Sequence, residues 1–327
     1  MRRREFIGLV GGAVAWPLLA NAQKAAPVVA ILGSGAADAS SSKMQMSLLE
    51  AGMGEIGLLQ GKDYMFETRW AGSDGSRFSA LAAELLADRP VAIVVSTNLA
   101  AMAVQNLSRT VPIVGTGLNA PVASGLVASL ARPGGNITGV STMAEDVLLK
   151  LFEMMREVLP GMRRISVMTN PTNPSNQSML ELLTGVVARD GISIDAARIG
   201  APGDLDAAFA AMSRQAPDAL IVLTDNSLFA LTDSIIARAL ALRVPTFGNF
   251  AEPFARAGAV FAYSRDPREA FQGVARLLKK LLNGAAPAEL PFEQPTKFNL
   301  FINLKTATSL GLGVPPTLLA IADKVIE

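Results

Sequence analysis

From Pro27 onward the chain alternates short, nearly unbroken apolar runs with longer stretches in which apolar residues recur every three or four positions. The first pattern, rich in β-branched residues, predicts strands buried on both faces; the second predicts helices with one apolar stripe. Five strands are predicted in the first part of the chain, at 28–32, 64–70, 91–95, 113–114 and 137–140. Phe78, Leu81, Ala82, Leu85 and Leu86 make one helical stripe between them. The alternation then repeats. A helix with Leu148, Leu151, Phe152, Met155, Val158 and Leu159 on one face ends at Pro160-Gly161. Strands are predicted after it at 165–168, 192–196, 219–223, 244–247 and 260–263. A further helix opens at Asp266-Pro267-Arg268-Glu269, with Asp266 as cap, proline in the first turn and Glu269 expected to reach back. It closes at Asn283-Gly284, and residues 287–295 read as a connector rather than core. Strand–helix alternation implies right-handed βαβ units. The fold class is therefore α/β, with two Rossmann-like lobes on parallel sheets and a passage between them near residues 141–146.

The first residues interrupt this picture. Arg3-Arg4 precede an apolar run from Phe6 to Leu19, and Ala20-Asn21-Ala22 form an A-x-A site before Gln23. Basic, apolar and then small residues make a secretory signal of twin-arginine type, cleaved after Ala22; the general secretory route stays open. The run is too short and too rich in glycine to cross a bilayer comfortably. The expected location is the periplasm.

Composition narrows the chemistry. The chain of 327 residues has no cysteine and no histidine. Disulfides, thiolate nucleophiles, histidine-ligated metals and Ser-His-Asp arrangements are thereby excluded, which leaves carboxylates, lysine or tyrosine for any catalysis. No enzyme activity, metal or cofactor is expected. Arg2, Arg3 and Arg4 against Glu5 account for two positive charges, so a net charge of +1 leaves the remainder near −1. A near-neutral body has no electrostatic footprint for nucleic acid.

Ligands of open parallel sheets bind beyond the carboxyl ends of the strands. Ser34 follows the first predicted strand, between Gly33 and Gly35, and Ser96, Thr97 and Asn98 follow the third. Thr116 and Asn119 follow the fourth, and Ser141 and Thr142 the fifth. The second set offers Asn170, Thr172, Asp225, Asn226 and Asn249. These are hydroxyls, amides and one carboxylate, a lining suited to neutral or zwitterionic solutes rather than phosphates. Ser96-Thr97-Asn98 begins a predicted helix at 99–107. Amides at a helix start hold a carboxylate well, although the same residues are ordinary caps. Asp225 could accept an ammonium group or cap the helix near Ser227. Tyr263 and Trp70 could stack on a flat ligand or pack in the core.

Other motifs fail. Gly33-x-Gly35 lacks the third glycine of a dinucleotide loop, since Asp38 stands there. Gly61-Lys62 is followed by Asp63, with Ile56 at the upstream glycine position, so there is no Walker loop. No G-x-S-x-G elbow exists. Met44, Met46, Met53, Met154 and Met155 fall in helices and are expected in the core.

Three stretches carry a resemblance: Leu130-Ala131-Arg132-Pro133-Gly134-Gly135-Asn136-Ile137-Thr138-Gly139, Gln294-Pro295-Thr296-Lys297-Phe298-Asn299-Leu300 running on to Ala307, and Val314-Pro315-Pro316-Thr317-Leu318-Leu319. On these the chain resembles the tryptophan/tyrosine-type ABC-transporter substrate-binding proteins, of type I periplasmic binding protein fold, over nearly its whole length. The resemblance implies three hinge crossings. Residues 27–141 with about 266–286 would form the first lobe, and 142–265 with about 287–327 the second, after the 1–22 leader. It also implies a small-molecule ligand, amino acid or aromatic carboxylate, clamped between lobes of a monomer, with ABC permease and ATPase subunits as partners. Ala120-Pro121-Val122 departs from the Asp-Pro-Val usual after the fourth strand, which weakens the case for an α-amino group in the ligand. An extracytoplasmic sensor domain and an exported carboxylate-dependent enzyme are the alternatives.

Overall fold

The computed structural model describes residues 26–72 and 74–327; the predicted leader lies outside them. All ten predicted strands form. The first sheet has the order β2-β1-β3-β4-β5 and is parallel throughout: β1 (Val28–Gly33), β2 (Met65–Trp70), β3 (Ala92–Val95), β4 (Ile113–Leu118) and β5 (Ile137–Ser141). In chain order its helices are α1 (Ser40–Glu55), α2 (Phe78–Ala87) and α3 (Asn98–Leu107).

The second lobe opens with α4 (Ala144–Val158), then β6 (Arg164–Thr169), α5 (Pro174–Val187), β7 (Ser193–Arg198), α6 (Asp204–Gln215) and β8 (Ala219–Val222). α7 (Asn226–Ala230), α8 (Thr232–Ala241), β9 (Thr246–Gly248), α9 (Glu252–Ala257) and β10 (Phe261–Arg265) follow. α10 (Pro267–Leu282) returns to the first lobe, and β11 (Phe298–Asn303), α11 (Leu304–Ser309), α12 (Pro316–Ile321) and β12 (Lys324–Ile326) complete the second. The second sheet has seven strands in the order β12-β11-β10-β9-β8-β6-β7. One difference from the all-parallel expectation has a topological cause. The chain reaches β11 from α10, on the other lobe, and runs antiparallel to β10.

The helix α10 shows how sequence pattern becomes packing. Ala270, Phe271, Val274, Leu277 and Leu278 are buried against Val29, Ile31, Val94 and Val114, while Arg268, Arg276, Lys279 and Lys280 face water. Each large side chain so buried stabilises the fold by about 1.5–3 kcal/mol. The helix crosses α1 closely at Gly52, where a Cβ would sit 3.1 Å from the Phe271 carbonyl. Lys279 Nζ donates to the Ile56 carbonyl at 2.7 Å and secures the end of α1.

The chain crosses between lobes three times. The first crossing follows β5, with Met143 in the left-handed region (φ 50°) just before α4. The second is Arg265-Asp266. The third lies beyond Glu293, because Leu290 and Phe292 are buried with the first lobe rather than forming a bare connector. Backbone bonds tie the crossings together: Glu293 N to Gly139 O at 2.9 Å, Ser141 N to Glu293 O at 3.0 Å, and Asp266 N to Lys297 O at 2.9 Å. Glu269 does not reach back to its own cap as expected. Asp266 caps Arg268 N at 2.8 Å, and Glu269 instead accepts from Thr296 N, Lys297 N and Thr296 Oγ1 at 3.0, 2.9 and 2.6 Å. It therefore joins the second and third crossings. Burial raises its carboxyl pKa, but those hydrogen bonds and the Lys297 charge outweigh this and hold it below the ordinary carboxylate value.

The stretches that carried the family resemblance do structural work. Asn136 donates to the Ser108 and Val111 carbonyls, Thr138 Oγ1 to Leu290 O, and Asn303 to Ala255 O. Leu318 is buried in the second core. Of the methionines, Met53, Met154 and Met155 are buried as expected, but Met44 is exposed.

Candidate functional site

The first sheet and strands β6–β10 of the second direct their carboxyl ends toward the junction of the lobes, and short caps place polar side chains there. In the first lobe, Thr97 Oγ1 accepts from Ala100 N at 3.1 Å and caps α3. Asn98, one residue on, has both ends of its amide engaged. Its Oδ1 accepts from Asn119 N at 3.1 Å, and its Nδ2 lies within bonding distance of Asn119 O (2.7 Å), Ser124 Oγ (3.1 Å) and Ser175 Oγ (3.0 Å). Thr142 Oγ1 donates to Asn119 Oδ1 at 2.6 Å. Asn98, Asn119 and Thr142 thus make one continuous network, and Ser175 brings the second lobe into it.

In the second lobe Asp225 is central. Its Oδ1 accepts from Ser227 N and Leu228 N, capping α7, and its Oδ2 accepts from Asn170 Nδ2 at 3.2 Å and Asn173 Nδ2 at 2.8 Å. Asn170 Oδ1 in turn accepts from Thr172 N and Oγ1. Asn226 Nδ2 crosses the junction to the Ser34 hydroxyl at 2.9 Å, and Ser34 lies 3.5 Å from Ser96 Oγ. The lobes therefore touch through Ser34–Asn226 and through Asn98–Ser175.

Ser96 and Thr116 also line a narrow crevice at the tips of the first sheet, with Gly33, Trp70, Met46 and Phe271; its cavity volume is about 10 Å3, room for one water. Trp70 lies against Gly33, where a Cβ would come within 2.1 Å of the indole ring. Tyr263 stands apart from the polar bridge. It stacks on Phe298 (centroids 5.9 Å apart, 29° between planes) beside the second core. Burial pushes its hydroxyl pKa up, against the lowering effect of Lys150.

Asn249 is different again. It is 6% exposed, and neither Oδ1 nor Nδ2 finds a hydrogen-bond partner. β9 pairs in parallel with β10, Phe247 with Phe261 and Gly248 with Ala262, so Asn249 sits at the tip of β9 beside the last residues of β10.

The expected lining of hydroxyls, amides and one carboxylate needs one correction. Arg265, at the end of β10, extends to the tip of β4 and donates through Nη2 to the Thr116 carbonyl at 2.7 Å. Its place in the sequence, 149 positions from Thr116, gives no hint of this; only the second crossing brings the two together. Among the described residues no cluster of metal-ligating side chains occurs, and no helix is long and apolar enough to cross a membrane.

Comparisons with known proteins agree with this fold. A tyrosine-binding protein of Clostridioides difficile is 22% identical over 272 residues, covering 81% of this chain and 78% of the relative. An ABC domain from Streptococcus pneumonia, solved in complex with L-Trp, superposes with a TM-score of 0.83 at 19% identity, covering 92% of this chain and 100% of that one. A substrate-binding protein with adhesive properties from Clostridium difficile, solved in a ligand-free, open form, gives 0.69 at 19% identity, covering 92% and 99%. A family model for ABC transporter substrate binding proteins matches residues 28–326. The match takes in both sheets and all three crossings, and the chain belongs to that family.

Proposed function

We propose that the chain is the exported solute-capturing component of an ABC importer, closing its lobes on a small carboxylate-bearing solute, an amino acid or aromatic compound. The observation that carries this is the junction itself. Two sets of strand tips meet through direct side-chain bonds, Ser34–Asn226 and Asn98–Ser175, and the tip of β9 carries a buried Asn249 amide without a partner. A buried amide left unpaired costs free energy that a bound solute can recover. The relative that binds tyrosine and the similar structure holding L-Trp support the ligand class. At the same identity, the chain superposes better on the L-Trp complex than on the open, ligand-free structure, which supports reading its present arrangement as the closed one.

Closure is the signal to the permease, so the solute must favour closed over open. The protein itself performs no reaction. Its leader, residues 1–22, directs it to the periplasm, where it works as a monomer with permease and ATPase subunits.

The test is direct. Small molecules released on denaturing the purified mature protein are identified by mass spectrometry, and amino acids and aromatic acids are screened by thermal shift. A true ligand at a hundred times its Kd stabilises the fold by about 2.7 kcal/mol. No released molecule and no stabilisation across the panel would remove the ligand class.

A further inference from the structure

Arg265 carries a charge that the protein does not neutralise. Its guanidinium leaves β10 and lies over Gly117, so closely that a Cβ there would be 2.1 Å from Nη2. Nη2 is used on the Thr116 carbonyl, while Nη1 is buried and has no hydrogen-bond partner. Among the described residues Arg265 takes part in no ion pair. The carboxylates next along the chain are committed elsewhere: Asp266 caps α10, and Glu269 holds Thr296 and Lys297.

The guanidinium, whose Nη1 is out of contact with water although the residue as a whole is half-buried, cannot escape this by losing its proton. Desolvation lowers its pKa only to about 10, which leaves it charged at neutral pH. Burying a charge without a counter-charge is among the most unfavourable arrangements in a protein interior. The Thr116 carbonyl offsets part of that cost with one charge-assisted hydrogen bond. Nη1 remains, in a fork whose geometry matches a carboxylate. The surroundings are those of the candidate site: Gly117, over which the guanidinium lies, also neighbours Thr142, and Asn249 lies unpaired at the tip of the adjacent strand.

We propose that Arg265 is the receptor for the solute's carboxylate, pairing with it through Nη1 while the Thr116 carbonyl fixes the guanidinium through Nη2. This rests on the solute-binding reading above and assigns its charge selectivity to one residue. It also ties selectivity to closure, because Arg265 stands on a crossing and contacts the first lobe from the second. A solute without the acid group leaves the guanidinium unpaired and loses that contribution to closing.

The test is isothermal titration of the mature wild-type chain, Arg265→Gln and Arg265→Lys with matched probes: L-tryptophan and L-tryptophanamide, L-tyrosine and L-tyrosinamide, benzoate and benzamide. Wild type should prefer an acid to its amide by about 100-fold. Arg265→Gln should lose that preference by weakening the acid alone, and Arg265→Lys should fall between, since it keeps charge without the fork. Thermal unfolding of the unliganded variants separates a folding defect, and if Arg265→Gln does not fold, Arg265→Lys carries the comparison. An Arg265→Gln chain that binds the acid within threefold of wild type, or a wild type indifferent between acid and amide, overturns the assignment and leaves the solute-binding reading standing. If wild type binds none of the six probes, the molecule released from it on denaturation decides. A carboxylate released from wild type but not from Arg265→Gln supports the assignment, and one released from both overturns it. A molecule without a carboxylate overturns it together with the carboxylate-bearing ligand class but leaves solute capture standing, and no released molecule overturns it together with the solute-binding reading.

Discussion

Asn226, at the first turn of α7, donates its amide to the Ser34 hydroxyl at the tip of β1, 192 positions away, at 2.9 Å. It is a direct side-chain link between the lobes and lies at the rim, exposed to water. Removing it by Asn226→Ala or Ser34→Ala should leave each lobe intact and shift the balance toward the open form. A hydrogen bond at such a position contributes about 0.5–1.5 kcal/mol, so ligand affinity should fall two- to tenfold. The double variant should be no worse than either single one. Titration calorimetry with small-angle scattering of the free protein checks this; equal affinity and unchanged dimensions would mean the contact is incidental to closure.

Asn98 differs from Asn226 in being buried, 6% exposed, with both amide ends occupied. Asn98→Ala strands Asn119 N without its acceptor and should destabilise the fold by about 2 kcal/mol. Asn98→Asp keeps the shape but sets a carboxylate oxygen against the Asn119 carbonyl, and should cost at least as much. Urea unfolding measures both. A loss confined to ligand binding, with stability unchanged, would move Asn98 from brace to ligand contact.

How much of this was readable beforehand depends on the distance over which each residue finds its partners. The strands at 28–32 and 219–223 declare themselves through local runs, and α10 through Asp266, Pro267 and the spacing of its leucines. β11 is legible only as part of a family motif, because Phe298-Asn299-Leu300-Phe301-Ile302-Asn303 follows a proline-rich stretch and finds its pairing partner across a crossing. Strand-tip positions were legible too, since topology alone places them. What each tip residue does was not. Asn98, Asn119 and Asp225 look like free donors and acceptors in one dimension, yet their partners, up to 77 positions away, consume them. Arg265 is the converse case, a residue at the end of an apolar run whose missing counter-charge only the folded chain reveals.

The Glu269 contacts predict a pH dependence. Unfolded, a glutamate titrates near about 4.3. Folded, Glu269 titrates lower, so its stabilising contribution is complete above the unfolded value and is lost as pH falls through the folded one. Glu269→Gln should flatten the acid side of the stability–pH curve below about pH 5 while lowering the plateau at neutrality. Urea midpoints from neutral to acid pH test this. Parallel curves for the two proteins would show that Glu269 does not titrate with folding.

Gly139 in β5 faces Gly115 in β4, and the approach is a backbone one. A Cβ at Gly139 would lie 2.5 Å from the Gly115 carbonyl oxygen, at a φ of 159°. Neither strand can yield without breaking the pairing of Gly115 with Gly139 that precedes the first crossing. Gly139→Ala should therefore cost about 3 kcal/mol or more. Gly135→Ala, which meets nothing within 4 Å, serves as the matched control. Comparable melting temperatures for the two would contradict the close approach.

The return of α10 to the first lobe has a consequence for how the chain is made. The sheet face built by Val29, Ile31, Val94 and Val114 receives Phe271, Val274 and Leu278 only after the whole of the intervening second lobe has been synthesised up to β10. During translation the earliest-made domain must wait, its apolar face bare, for a helix that emerges near the end. Ribosome-bound or truncated chains ending before Pro267 would thus be sticky intermediates, natural clients for chaperones that shield hydrophobic surface until the lid arrives.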